Sequence, residues 1–276
     1  MNFISFLQES LLLEGGAAIK GSSRVTQVEA RHLIPDLIEK IAKVTGVDKE
    51  KIRPVGSAGK KPHDNDTSGD IDISVEADAE TLKKALPELA FDRETFKAMS
   101  AINVYSFGTK VHDKVVQVDM VPVNSVDFAE WSYISDPEDL AQGLKGAHRN
   151  ELIFAIVKHA ENHKVEEDGE VVAMDRYYFD LSKGLMRGHQ TRKKPNGKLS
   201  KNFTTVNKQL ETDDPKRIAK ILFGKKAKPE KLVTFQQVWD AMHSETFPYK
   251  DQLEDIIEMA KKGIQNKKLK VPDILL

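Results

Sequence analysis

The run Asp70-Ile71-Asp72-Ile73-Ser74-Val75 alternates polar and apolar residues. A period of two admits only an extended strand with one buried face. Residues two apart on a strand point the same way at roughly 6.6 Å. Asp70 and Asp72 therefore project together, while Ile71 and Ile73 enter the core on the other side. Two neighbouring carboxylates repel unless a cation or a proton joins them. Twelve residues separate this run from Gly56-Ser57, which ends a strand-like stretch over 52–56. Backbone N–H groups of such a turn suit phosphate, so the pair of segments reads as a metal–nucleotide site.

A second acidic strand extends this reading. Val115-Val116-Gln117-Val118-Asp119-Met120-Val121 puts one carboxylate into an otherwise apolar run. An isolated buried charge is costly, so Asp119 is expected to face a cleft and a cation. If the two strands are neighbours at about 4.8 Å, three carboxylates converge. Such a group can hold two Mg²⁺ ions about 3.5–4 Å apart, or Mn²⁺ in their place. Mg²⁺ favours few carboxylates together with phosphate oxygens and water.

Gly56-Ser57, the twelve-residue gap, Asp70-Ile71-Asp72-Ile73 and the later Val118-Asp119 resemble the signature of the DNA polymerase β-like nucleotidyltransferase superfamily. The resemblance covers roughly 26–123. It implies that Gly56 permits close backbone approach and that Ser57 binds the β/γ-phosphates. It further implies that Asp70 and Asp72 hold both metals and the triphosphate, and that Asp119 binds the catalytic metal and helps activate an acceptor hydroxyl. The implied reaction is in-line attack on the α-phosphorus of an NTP, ATP by default, with release of pyrophosphate. Lys60 and Lys61 follow the turn and are candidate phosphate ligands, alongside a reading as solvated loop lysines.

Other constellations compete less well. Asp64-x-Asp66-x-Ser68-Gly69-x-Ile71 approaches an EF-hand loop, but its twelfth position is Val75 where the loop needs Glu, and its flanks read as strand. Gly146-Ala147-His148-Arg149 precedes a helical run, so Arg149 or His148 is a candidate triphosphate contact. His159 and His163 are four apart but lack the intervening Glu of a zinc helix. Trp131 and Tyr133 could stack on a base or pack at a domain junction. No P-loop or serine elbow is present.

Charge is unevenly placed along a chain of net charge −1. Residues 62–82 hold seven acids and no Lys or Arg, while residues 187–201 hold Arg187, Arg192, Lys193, Lys194, Lys198 and Lys201 and no acid. A basic tract opposite an acidic, metal-seeking tract suits a polyanionic partner, RNA or DNA; solvated faces are the plainer reading. Protein or small-molecule hydroxyls are alternative acceptors, and a non-catalytic nucleic-acid-binding or phage virion-associated protein is the rival class.

The chain of 276 residues has no cysteine, which excludes disulfides and thiolate chemistry and fits a cytoplasmic setting. No apolar run approaches the roughly 20 residues that span a bilayer. The expected layout is a flexible tail over 1–25, a catalytic core over 26–135 and a mixed, mainly helical domain over 136–276. The tail resembles leader sequences of proteins packaged in heads of large tailed phages, with Leu12-x-Glu14 as cleavage signature. Phage origin would place the protein in the host cytoplasm or a virion. Thr26-x-x-Glu29 opens a helix as a capping box, with a kink expected at Pro35. Strands at 52–56 and 70–75, a helix at 79–89 and a hairpin turning at His112-Asp113 follow. Together these give an α/β (α+β) nucleotidyltransferase-like core with a small mixed sheet. A β-meander over 171–205 and three helices are expected beyond it.

Overall fold

A computed structural model describes residues 18–92, 94–101, 103–160, 164–194 and 196–276. The leader-like segment with Leu12 and Glu14, His163 and the proline of the expected turn at 195 lie outside the described residues. The described chain divides into two compact units, the first ending at Gly146 and the second running Ala147–Leu276. The fold is mixed, with helices, one mixed sheet and antiparallel sheets.

In the first unit, β1 (Val25–Thr26) leads directly into helix α1 (Gln27–Thr45). Thr26 Oγ1 accepts from Glu29 N at 3.3 Å and Thr26 N donates to Glu29 Oε2 at 2.8 Å, so the capping box forms. Gly46 ends the helix at φ 72, a left-handed cap that costs glycine nothing. The helix runs through Pro35 as a single element. Lys114 Nζ also reaches Glu29 Oε2 at 2.7 Å. That ammonium, with the Thr26 N–H, holds the Glu29 carboxyl down at about 2.

Next come β2 (Ile52–Val55), β3 (Thr67–Ser68), β4 (Asp70–Val75), α2 (Ala79–Leu89), β5 (Phe96–Met99), β6 (Val104–Val111) and β7 (Lys114–Pro122). Five of these strands form one sheet in the order β2-β4-β7-β6-β5. The β4–β7 pair is parallel and the other neighbours are antiparallel. The expected hairpin is present, with Val111 opposite Lys114.

Alternation sorts the residues of this sheet onto two faces. Ile71, Ile73, Phe107, Val118 and Met120 are fully buried together with Leu37 and Ile41 of α1 and Leu82 and Leu86 of α2. Each such side chain contributes about 1.5–3 kcal/mol by leaving water. On the opposite face, Val104 and Val121 pack with Val126 and Ala129 of α3 (Val126–Ser132). A short helix, α4 (Pro137–Ala141), starts at the cap Asp136. It belongs to the first unit, so the units divide later than the expected boundary near 135.

Residues 18–25 are part of the fold rather than a free tail. Ile19 and Val25 are buried, Ser23 N donates to Val115 O at 2.7 Å, and Val25 pairs with Ser68. The reason is the apolar Ile19 and Val25, which the small and polar residues around them disguised.

The second unit takes up helix α5 (Gly146–His159). It continues with β8 (Lys164–Glu167), β9 (Glu170–Asp180), β10 (Gly184–Lys193) and β11 (Leu199–Thr212), an antiparallel meander in the order β11-β10-β9-β8. This sheet is longer than the expected 171–205, because β11 is exposed on both faces and so shows no apolar alternation. Helices α6 (Pro215–Phe223), α7 (Phe235–Met242) and α8 (Leu253–Asn266) complete the unit. Among the described residues, no helix is long and apolar enough to cross a membrane.

Candidate metal centre

The parallel register of β4 and β7 sets Asp72 beside Asp119 and Asp70 beside Gln117. Because Ile71, Ile73, Val118 and Met120 fill the core, these four polar residues share the other face. Asp70, Asp72 and Asp119 each offer a carboxylate oxygen, and those oxygens lie within 4.8 Å of one another. This is the convergence expected from the two strand patterns. Asp119 is 7% exposed, while Asp70 and Asp72 are half-buried.

Burial pushes the Asp119 carboxyl up to about 7, reinforced by the charge of Asp70 and opposed by the Ser106 hydroxyl and the Gln117 amide. Burial also raises Asp72 well above the ordinary aspartate value, with Asp70 and Asp119 adding repulsion and Lys60 relieving part of it. Charged together without a counter-ion, these groups oppose folding. An all-oxygen donor set of this kind fits a hard divalent cation such as Mg²⁺ or Mn²⁺. The triad could hold a metal ion.

The turn after β2 meets this site directly. Gly56 sits at φ 69, and a Cβ on it would stand 2.4 Å from Asp72 Oδ2. Only glycine lets the backbone approach the carboxylate so closely in that conformation. Gly56 N donates to Tyr133 O at 3.2 Å, which anchors the turn to the end of α3. The Ser57 hydroxyl is 3.3 Å from that of Ser68.

Lys60 is half-buried. Burial lowers its ammonium pKa, while Glu130, Asp72 and Asp136 counter that by attraction. Lys60 is therefore electrostatically coupled to the triad. Lys61 is bonded to neighbouring elements: its Nζ donates to Thr67 O of β3 and its N–H to Gln27 Oε1 of α1.

Arg149, a candidate triphosphate contact, lies in the second unit. It is fully buried, with Nε donating to Leu232 O at 2.6 Å and Nη1 to Asn150 Oδ1 at 3.0 Å. A guanidinium enclosed in that way supports packing around α5. His148 is likewise buried, 3.1 Å from Lys270 O. His159 pairs with Gln252 Oε1 at 3.0 Å. Trp131 is buried against Phe128, which favours packing over base stacking. The EF-hand alternative also ends here, since Asp70–Val75 is strand rather than helix and the Asp64 carboxylate is bonded to Arg31.

The basic tract lies on β10, β11 and the connection between them, and half of it is neutralised. Arg187 pairs with Asp175 at 3.1 Å, Arg192 with Glu170 at 3.2 Å and Lys193 with Glu167 at 2.6 Å. Lys194, Lys198 and Lys201 are exposed and make no ion pair among the described residues.

Two site residues escaped the sequence reading. Gln117 donates to both oxygens of Asp119, and Ser106 is fully buried opposite Asp119 across β6–β7. The signal for Gln117 was its position two before Asp119 on the same strand face. Ser106 carried none. No protein-family model matches the chain, and no curated protein matches it.

Proposed function

We propose that the protein is a Mg²⁺-dependent nucleotidyltransferase that moves NMP from an NTP, ATP by default, to an acceptor hydroxyl. The acceptor oxygen bonds to the α-phosphorus, the bond from that phosphorus to the β-phosphate oxygen breaks, and pyrophosphate leaves. A pair of divalent cations would neutralise the triphosphate and the developing charge in such a transfer. Asp70 and Asp72 would hold them from β4, and Asp119 from β7.

The observation that carries this reading is the register match of the three carboxylates beside a glycine turn that abuts Asp72. Gly56 and Ser57 would receive phosphate at the turn, where backbone N–H groups and a hydroxyl are available. Lys60, already balanced against Asp72, would meet the negative charge that a nucleotide brings. Asp119 would bind the cation nearest the acceptor and help activate its hydroxyl, whose acidity such a cation would raise. The five-stranded mixed sheet with α1 and α2 behind it supports a nucleotidyltransferase-like core.

Nucleic acid, RNA or DNA, is the acceptor class we favour, and the exposed Lys194, Lys198 and Lys201 support it. Cations with no ion pair among the described residues are the ones left to release counterions on binding phosphate.

The test is transfer of label from NTPs carried on the α-phosphorus, each base separately, to RNA, DNA or protein acceptors with Mg²⁺. Label should appear in one acceptor pool in wild type and be absent in Asp70→Asn. Absence of transfer to every pool, together with absence of Mg²⁺-dependent NTP binding, would refute the reading.

A further inference from the structure

Gln117 is 2% exposed and stands between the carboxylates and the segment that precedes β1. Its Nε2 donates to Asp119 Oδ1 at 2.9 Å and to Oδ2 at 3.0 Å. Its Oε1 accepts from Ala18 N at 2.9 Å and from Ile19 N at 3.0 Å. Those two backbone donors decide which way the amide faces. Only the amide oxygen can meet N–H groups, so the nitrogen must turn to the carboxylate. The segment is itself fixed: Ile19 is buried, Ser22 N donates to Ile19 O at 3.2 Å, and Ser23 N donates to Val115 O at 2.7 Å.

An amide used only to fill space would need partners for both ends, because a buried unmet polar group costs about 1–3 kcal/mol. Gln117 has them, but one end is spent wholly on Asp119. Opposite it in the register lies Asp70. That donor lies almost equally far from the two oxygens and holds the Asp119 carboxylate towards β7's own amide.

We propose that Gln117 is a positioning residue for Asp119 and that the backbone of residues 18 and 19 sets it. The chain ahead of β1 thereby becomes part of the cation site without contributing a ligand. Seating of that segment on β7 and competence of the site are one linked equilibrium. Lifting the segment frees the amide to rotate, and Asp119 loses its orientation. This inference rests on the reading of the three aspartates as a cation site.

The test is a titration of Mn²⁺ alone into the full-length protein, with free ion measured by electron paramagnetic resonance and thermal melting run in parallel. Gln117→Met keeps the length and removes the donor. Ala18→Pro removes one of the two N–H groups that orient the amide and alters no side chain at the site. Gln117→Met should weaken Mn²⁺ binding about tenfold or more, the usual effect of losing a partner that orients a ligand. Ala18→Pro should weaken it less, since Ile19 N still holds the amide. The double variant should bind no worse than Gln117→Met, because the segment acts only through that side chain.

Wild-type affinity in Gln117→Met, or full addition of the two losses in the double variant, overturns the proposal while the cation site stands. Absence of Mn²⁺ binding by wild type overturns both. If Gln117→Met fails to melt cooperatively, Ala18→Pro alone decides: unchanged affinity refutes the link and weakened affinity with an unchanged melt upholds it.

Discussion

On the five-stranded sheet, three carboxylates gather within 4.8 Å of one another, whereas on the four-stranded sheet opposite charges alternate across the strands. There Arg187 meets Asp175, Arg192 meets Glu170 and Lys193 meets Glu167, all on partly or largely exposed side chains. Such surface pairs are worth about 0–1 kcal/mol each and are screened by salt. They are what solubility and modest stability produce. The carboxylate group runs the other way. Keeping Asp119 charged in the metal-free protein, against a carboxyl pushed up to about 7, costs roughly 4 kcal/mol. A cost of that kind, set against the pairing of Arg187, Arg192 and Lys193 on the other sheet, makes the carboxylate group the candidate site.

The comparison can be broken most directly at Asp119. Asp119→Asn should lower transfer by on the order of 10²–10³-fold, the scale of losing one well-placed electrostatic group. The same change should raise the melting temperature of the metal-free protein, by about 2–4 °C for each kcal/mol of repulsion relieved. A lower melting temperature with unchanged transfer would make Asp119 an ordinary structural residue.

Gly56→Ala should act on both stability and rate. The substitution forces a side chain to φ 69 and into Asp72 Oδ2, at about 1–3 kcal/mol by chemical denaturation. Displacing the turn should reduce transfer by up to about 100-fold. A variant with wild-type rate would show that the turn is not part of the site.

The pH dependence sharpens the contrast between the two sheets. The folded Asp119 carboxyl holds its proton from the ordinary value of 3.8 up to about 7, so the native state binds more protons than the unfolded state across that window. Stability from this group is therefore present below 3.8 and is lost as pH rises towards about 7. Metal-free wild type should lose stability relative to Asp119→Asn over that window, and saturating Mg²⁺ should cancel the loss. Parallel curves for the two proteins would contradict the assigned shift. Glu29 works in the opposite direction: its carboxyl lies at about 2 beside Lys114, so its contribution is present above 4.5 and is lost as pH falls towards about 2.

Much of the first unit was legible because its signals are local. Alternation in Asp70–Val75, the capping box at Thr26 and Glu29 and the turn at His112 each specify their own element. The three-carboxylate group followed from two strand patterns and one assumption, that the strands are neighbours. What stayed hidden depends on distant contacts. Arg149 read as a phosphate ligand because a sequence does not show that Leu232 O closes over it, 83 residues away. Residues 18–25 read as tail because their docking is made by backbone N–H groups and two isolated buried residues, Ile19 and Val25. β11 was cut short because a strand exposed on both faces has no apolar period.

The smallest effect belongs to the second sheet. Replacing Lys194, Lys198 and Lys201 by Ala should change folding stability by less than about 0.5 kcal/mol. If nucleic acid is the acceptor, its affinity should fall and the salt dependence should flatten by roughly 0.7–0.9 in log–log slope for each phosphate no longer neutralised. An unchanged slope would remove this tract from the acceptor path.

The central claim is that Asp70, Asp72 and Asp119 form one divalent-cation site. Calorimetric titration of Mn²⁺ into wild type and Asp119→Asn, in two buffers of different ionisation enthalpy near neutral pH, tests it most directly. The expected result is saturable binding by wild type with proton release, because a carboxyl at about 7 must lose its proton to the ion, and near-complete loss of that binding in the variant. No saturable binding by wild type, or identical isotherms for the two proteins, would contradict the claim.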